Sequence, residues 1–197
     1  MTAHQPDRCS ARECILEAAD RLYYERGIQA VGMDELRAAA GVSLKRLYSE
    51  FANKEAVVIA VLHRRHEQWT LGIAERVATV AEPRGKILAI YDFLFDWFSE
   101  DSFRGCGFIN AFGELGSSHP TIAACVREHK DSFQRFLTQL AEEIGGNAEL
   151  AAQLALLAEG AQTTAAISGS AEAARHARRA AEIMIGAGTS HNTAPSN

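Results

Sequence analysis

The residues best equipped for chemistry lie between Gly27 and Glu55, in the run GIQAVGMDELRAAAGVSLKRLYSEFANKE. Arg37, Lys45, Arg46 and Lys54 supply cations there, and Ser43 and Tyr48 supply hydroxyls. Cations and hydroxyls on one short stretch suit phosphate oxygens, and Lys and Arg also suit the edges of bases. The other reactive side chains are scattered. Cys9, Cys14, Cys106 and Cys125 form no C-x-x-C pair, and His119 and His129 with a cysteine match no local zinc-ligand spacing. An enzyme built on Cys106 or Cys125 with His129 is an alternative, but it lacks a motif in which a base is oriented by a third group. No catalytic residue, metal or cofactor is expected.

The elements that must position the basic stretch are legible as helices. Ile15, Ala18, Ala19, Leu22 and Tyr23 recur at three-to-four spacing from about Ser10, and Gly27 closes that helix. Met33 to Ala40 predicts a short helix stopped by Gly41. Ser43 is a suitable N-cap for a second short helix, Leu44 to Glu50. Two short helices across a glycine-containing turn make a helix-turn-helix. Leu36 and Ala40 should face inward on the first, Val42 should fill the space between them, and Leu47 and Phe51 should anchor the second. Leu44, Lys45, Arg46, Tyr48 and Ser49 are left facing outward, where a recognition helix meets the major groove.

The pattern Gly27, Leu36, Ala40-Gly41-Val42-Ser43, Leu47-Tyr48, Phe51, Lys54-Glu55 resembles the N-terminal motif of the tetracycline-repressor (TetR) family, strongly over residues 10–65. The resemblance implies a dimeric transcriptional regulator, released from a palindromic double-stranded operator by a small molecule. It implies phosphate contacts by Tyr48 and Lys54, with Lys45 and Arg46 on phosphates or base edges. Three positions depart from the family pattern. Gly32 stands where Thr or Ser usually caps the first motif helix. Arg37 replaces a small residue and must carry its guanidinium out to solvent, where it could add a phosphate contact. Glu50 replaces an aromatic, and Arg46, one turn earlier, is its expected partner.

Beyond Pro83 the sequence predicts about five more helical stretches: Arg84–Ser99, Gly105–Leu115, Pro120–Ile144, Glu149–Ile167 and Ala171–Ile185. No strand is expected, so the fold class is all-α. Arg104-Gly105-Cys106 followed by Asn110 resembles the R-G-C-x-x-x-N stretch of a subset of TetR-like regulators. Cys106, Asn110 and Phe112, Cys125, His129 and Phe133, with Tyr91 and Trp97, could line an apolar cavity with a few polar groups, suited to a small apolar or amphipathic effector. Apolar faces through Leu150, Leu154, Leu157, Ala158, Ala161, Ala165 and Ile167, then Ala173, Ala177, Ala180, Ala181 and Met184, could pair two copies as a four-helix bundle. Ordinary packing within one chain is the alternative for the same faces.

The expected division is a DNA-binding domain over 10–55, an effector-binding and dimerisation domain over 56–187, and a disordered tail over 188–197. The net charge of −5 is unevenly spread. Residues 1–66 hold ten Lys and Arg against nine Asp and Glu, or +1, which leaves −6 for the rest. A small DNA-binding module needs only a local cluster of cations, so the acidic total is compatible with it. No apolar run approaches a membrane span and the polar start has no signal-peptide core, so a cytoplasmic protein is expected. A DNA-binding structural protein without an effector is a further alternative.

Overall fold

The computed structural model describes residues 9–190, with side chains through 187. The described residues are all-α: α1(Ala11–Arg26), α2(Met33–Ala39), α3(Leu44–Glu50), α4(Lys54–Ala78), α5(Pro83–Phe98), α6(Gly107–Leu115), α7(Pro120–Glu143), α8(Ala148–Ser168) and α9(Glu172–Ser190). None of them is long and apolar enough to cross a membrane. The segment expected as a tail from residue 188 thus starts inside α9, and residues 191–197 lie outside the described ones.

Local chemistry sets the helix ends. Ser10 Oγ accepts from the Glu13 amide, Glu82 caps α5 through the Arg84 and Gly85 amides, and Asn147 Oδ1 accepts from Leu150. Each satisfies amides that the first turn of a helix leaves without a partner. Gly41 (φ 67°) and Gly169 (φ 66°) close α2 and α8 in the left-handed region, where a side chain is strained.

Two compact units result. The first holds the chain up to Arg65 together with Gly107–Val126, and the second holds His66–Cys106 and Arg127 onward. The unit boundaries fall within α4, at the start of α6 and within α7. In the first unit α1, α2 and α3 pack on one another around Ile15, Ala19, Leu22, Val31, Leu36, Leu47 and Phe51. In the second, α5, α8 and α9 pack together, and their core includes Ile87, Tyr91, Leu94, Leu154, Ala158, Ala161, Ala177 and Ala181. The many alanines let the helix axes approach closely.

Candidate nucleic-acid interface

α2 and α3 form the helix-turn-helix, and one side of α3 anchors it. Leu47 is fully buried and Phe51 nearly so. Leu44, Lys45, Arg46, Tyr48 and Ser49 are all exposed, as their spacing around Leu47 requires. Ala40 and Val42, expected inside, are only half-buried, whereas Leu36 and Leu47 are fully buried. Ser43 Oγ accepts from the Arg46 amide at 3.1 Å, which uses one of its two lone pairs and leaves its proton available to donate.

The departures from the family pattern are resolved locally. Arg37 Nε lies 3.1 Å from Asp34 Oδ1 with the side chain well exposed, so its guanidinium stays at the surface. Arg46 Nη2 sits 2.7 Å from Glu50 Oε1, the expected pair one turn apart. Gly32 begins α2 with extended backbone (φ −83°, ψ 162°) and contributes no side-chain cap.

Lys54 opens α4, whose first turn is capped by Asn53 Oδ1 accepting from the Ala56 amide at 2.9 Å. Burial pushes the Lys54 ammonium below its ordinary pKa, and the nearby Glu114 carboxylate opposes that shift. Glu114 is one neighbour of the motif that its sequence pattern does not signal. So is Arg12, whose guanidinium lies 4.4 Å over the Phe51 ring and whose Nη1 reaches the Glu50 carbonyl at 3.5 Å. Both act across long stretches of sequence, and no local pattern signals them.

The candidate effector residues fall in both units. In the second, Phe133 lines a cavity of about 320 Å³ with Trp69, Thr70, Ile73, Phe136 and Gln139. Its walls are mainly apolar, with a few polar ends. His129 is buried nearby on α7, its Nδ1 2.9 Å from His66 Nδ1 and its ring edge-on to Trp69. Desolvation, then the charges of Lys130 and His66, depress the His129 pKa to about 3. Tyr91 is buried, and its hydroxyl donates to the Leu154 carbonyl at 2.8 Å. Trp97 packs on Phe98 and Phe103, and buried Cys106 lies 3.5 Å from Lys130 Nζ. In the first unit Asn110 and Phe112 are exposed on α6, and Cys125 is half-buried on α7. Trp69 and His66 were not anticipated as neighbours of Phe133 and His129, because the pairing joins α4 to α7 across some sixty residues.

Residues 15–61 match the family of bacterial regulatory proteins, tetR family. The HTH-type transcriptional activator FasR of Mycolicibacterium smegmatis is 32% identical over 120 residues, 61% of this chain and 53% of that protein. The HTH-type transcriptional repressor ComR of Escherichia coli is 26% identical over 132 residues, 65% of this chain and 62% of that protein. The chain therefore spans less than two thirds of the length of these curated relatives. A crystal structure of a TetR-family transcriptional regulator from Streptomyces coelicolor superposes with a TM-score of 0.86 at 24% identity, covering 91% of this chain and 96% of the other. By sequence over residues 15–61, and by fold over about nine tenths of its length, the chain is similar to the TetR-family regulators of transcription.

Proposed function

We propose that the chain is a homodimeric, cytoplasmic transcriptional repressor and not an enzyme. Residues 10–55 read a palindromic operator, and residues 56–187 bind a small apolar or amphipathic effector and form the dimer. The observation that carries this reading is the outer face of α3, where Leu44, Lys45, Arg46 and Tyr48 stand exposed around a single buried anchor, Leu47. Ser43, Lys54 and Arg37 complete the contact set, the first through its free proton and the others through charge. Tyr48 donates to a phosphate, which fixes register without reading sequence.

The effector site is the apolar cavity beside Phe133. Its size is at the lower end of the ~300–1,000 Å³ range of small-molecule pockets. We read the R-G-C-x-x-x-N stretch as the one carried by a subset of TetR-like regulators, and the positive φ at Gly105 (88°) supports a requirement for glycine there. Effector binding favours a conformation of lower operator affinity, so energy gained in the cavity opposes DNA binding.

Selection of bound duplexes from a random DNA pool by the purified protein tests this reading. The expected product is a palindrome whose half-sites lie about one helical turn apart or a multiple of it. No enrichment of any sequence would overturn it.

A further inference from the structure

Glu114, near the end of α6, belongs to the unit that contains α1, α2 and α3, and its carboxylate is engaged with backbone. Its Oε1 accepts from the Ile28 amide at 3.0 Å, and its Oε2 accepts from the Gln29 amide at 2.8 Å. Gln29 returns the contact, its Nε2 donating to the Glu114 carbonyl at 2.6 Å. All three bonds converge on the turn between α1 and α2. Gly27, at φ 87°, begins that turn, and a Cβ there would stand 3.3 Å from both carboxylate oxygens. The glycine thus supplies the backbone conformation and leaves room for the acid. Hydrogen bonds to a carboxylate are roughly twice as strong as neutral ones, and two amides on one carboxylate fix its orientation.

The other end of α6 passes close to the Arg65 side chain of α4. A Cβ on Gly107 would lie 3.4 Å from the Arg65 side chain, whose guanidinium pairs with Asp20 and stacks 4.0 Å over Tyr24. The hydrogen bonds that join α6 to the α1–α2 turn thus lie at its Glu114 end. Ile28 and Val31 of the α1–α2 turn are themselves buried, just before α2 begins.

We propose that Glu114 is a positioning residue for DNA recognition, its carboxylate latching the α1–α2 turn to α6 so that α2 and α3 are held in their reading geometry. This rests on the DNA-binding function proposed above. Glu114 also stabilises the charged form of Lys54, a candidate phosphate contact. The latch makes a prediction opposite in sign to simple electrostatics. Removing a negative charge near a polyanion should tighten binding at every sequence. Releasing a latch should weaken operator binding, which needs alignment, and should spare binding to unrelated duplex, which does not.

The test compares wild type, Glu114→Gln and Glu114→Ala in two measurements: hydrogen exchange of the Ile28 and Gln29 amides, and affinity for the selected operator and for an unrelated duplex. Glu114→Ala should weaken operator binding by about tenfold. Glu114→Gln should weaken it less, because its remaining oxygen can still accept one amide. Exchange at Ile28 and Gln29 should quicken in the same order, with unrelated duplex bound as well as before. Operator binding that is unchanged or tighter in both variants overturns the proposal, as does unchanged exchange at the two amides. If Glu114→Ala loses its helical signal, Gln29→Ala replaces it. That variant deletes the reciprocal bond alone and should weaken operator binding by about threefold, and no loss there overturns the proposal too. If wild type enriches no sequence, the DNA-binding reading fails, and the positioning role falls with it even where the exchange measurement finds the two amides held by Glu114.

Discussion

At Arg46 a single guanidinium serves two masters. Off DNA it is paired with Glu50 at 2.7 Å, yet it stands on the exposed face of α3, where phosphates are expected. A surface pair with Arg46 exposed and Glu50 half-buried contributes about 1 kcal/mol to stability, so in the proposed function the Glu50 charge should matter more for DNA than for the fold. Glu50→Gln should raise operator affinity a few-fold and steepen the dependence of log K on log salt by about one; titrations at several salt concentrations check both, and an unchanged slope would place Arg46 away from the phosphates. His129 gives a second prediction, in pH. Its folded pKa of about 3 lies below the ordinary 6.5 because burial, Lys130 and His66 disfavour the imidazolium. Between those two values the unfolded chain holds a proton that the folded chain excludes. Its stabilising contribution is thus complete above pH 6.5 and is lost as pH falls toward 3, at about 1.4 kcal/mol per pH unit. Urea unfolding between pH 7 and pH 5 should show this slope in wild type, and His129→Leu should lack that part of it.

The short elements of the DNA-binding motif are where the sequence is most readable. Gly41 illustrates why: the turn from α2 to α3 needs a left-handed residue, and a Cβ at that position would meet nothing within 4 Å. Gly41→Ala should therefore cost about 1–2 kcal/mol by backbone strain alone, whereas Gly41→Asn, which tolerates the left-handed region better, should cost less; thermal melts of the pair separate strain from crowding. At Gly32 the opposite holds, since its backbone suits an N-cap and its surroundings are open. Gly32→Ser should add a few tenths of a kcal/mol by supplying the missing cap. Caps and turns are local, so Ser10, Gly27, Gly41 and Ser43 could be read directly from residue type and spacing. The same local logic placed Leu47 inside and Tyr48 outside. It could not find Glu114 on the Ile28 and Gln29 amides, or Trp69 against Phe133, because those contacts join distant segments and leave no periodic trace. α8 was ambiguous for another reason. It is rich in Ala and Leu on several sides, so periodicity alone does not reveal which stripe faces the chain's own core.

The whole molecule resolves that ambiguity and directs the search for a dimer interface. Leu150, Leu154, Ala158, Ala161 and Ala165 of α8, with Ala177 and Ala181 of α9, are buried in the core of the second unit. These residues of the faces expected to pair two copies are thus occupied within one chain. Ile167 of the expected face stays outside, together with residues that were not part of it. Leu156 is 72% exposed, Ile167 84% and, on α9, Ile183 73%. Leu156, Gly160, Thr163 and Ile167 recur at four-three-four spacing, and all four are exposed on α8. The small residues in that row permit close approach of a partner helix, and branched apolar side chains left in water favour association. The proposed function calls for a homodimer, because a helix-turn-helix pair reads two half-sites, and this stripe is the surface to test for it. Leu156→Asp and Ile183→Asp should each shift the protein from about twice the 21.4 kDa chain mass to the monomer in sedimentation velocity, with helical content retained and operator affinity lost. Leu154→Asp provides the contrast on the same helix: buried in the core of its own unit, it should unfold the chain rather than dissociate it. If the Leu156 variant stayed dimeric and bound operator as wild type does, the copies would have to meet elsewhere, and the exposed apolar row on α8 would need another partner.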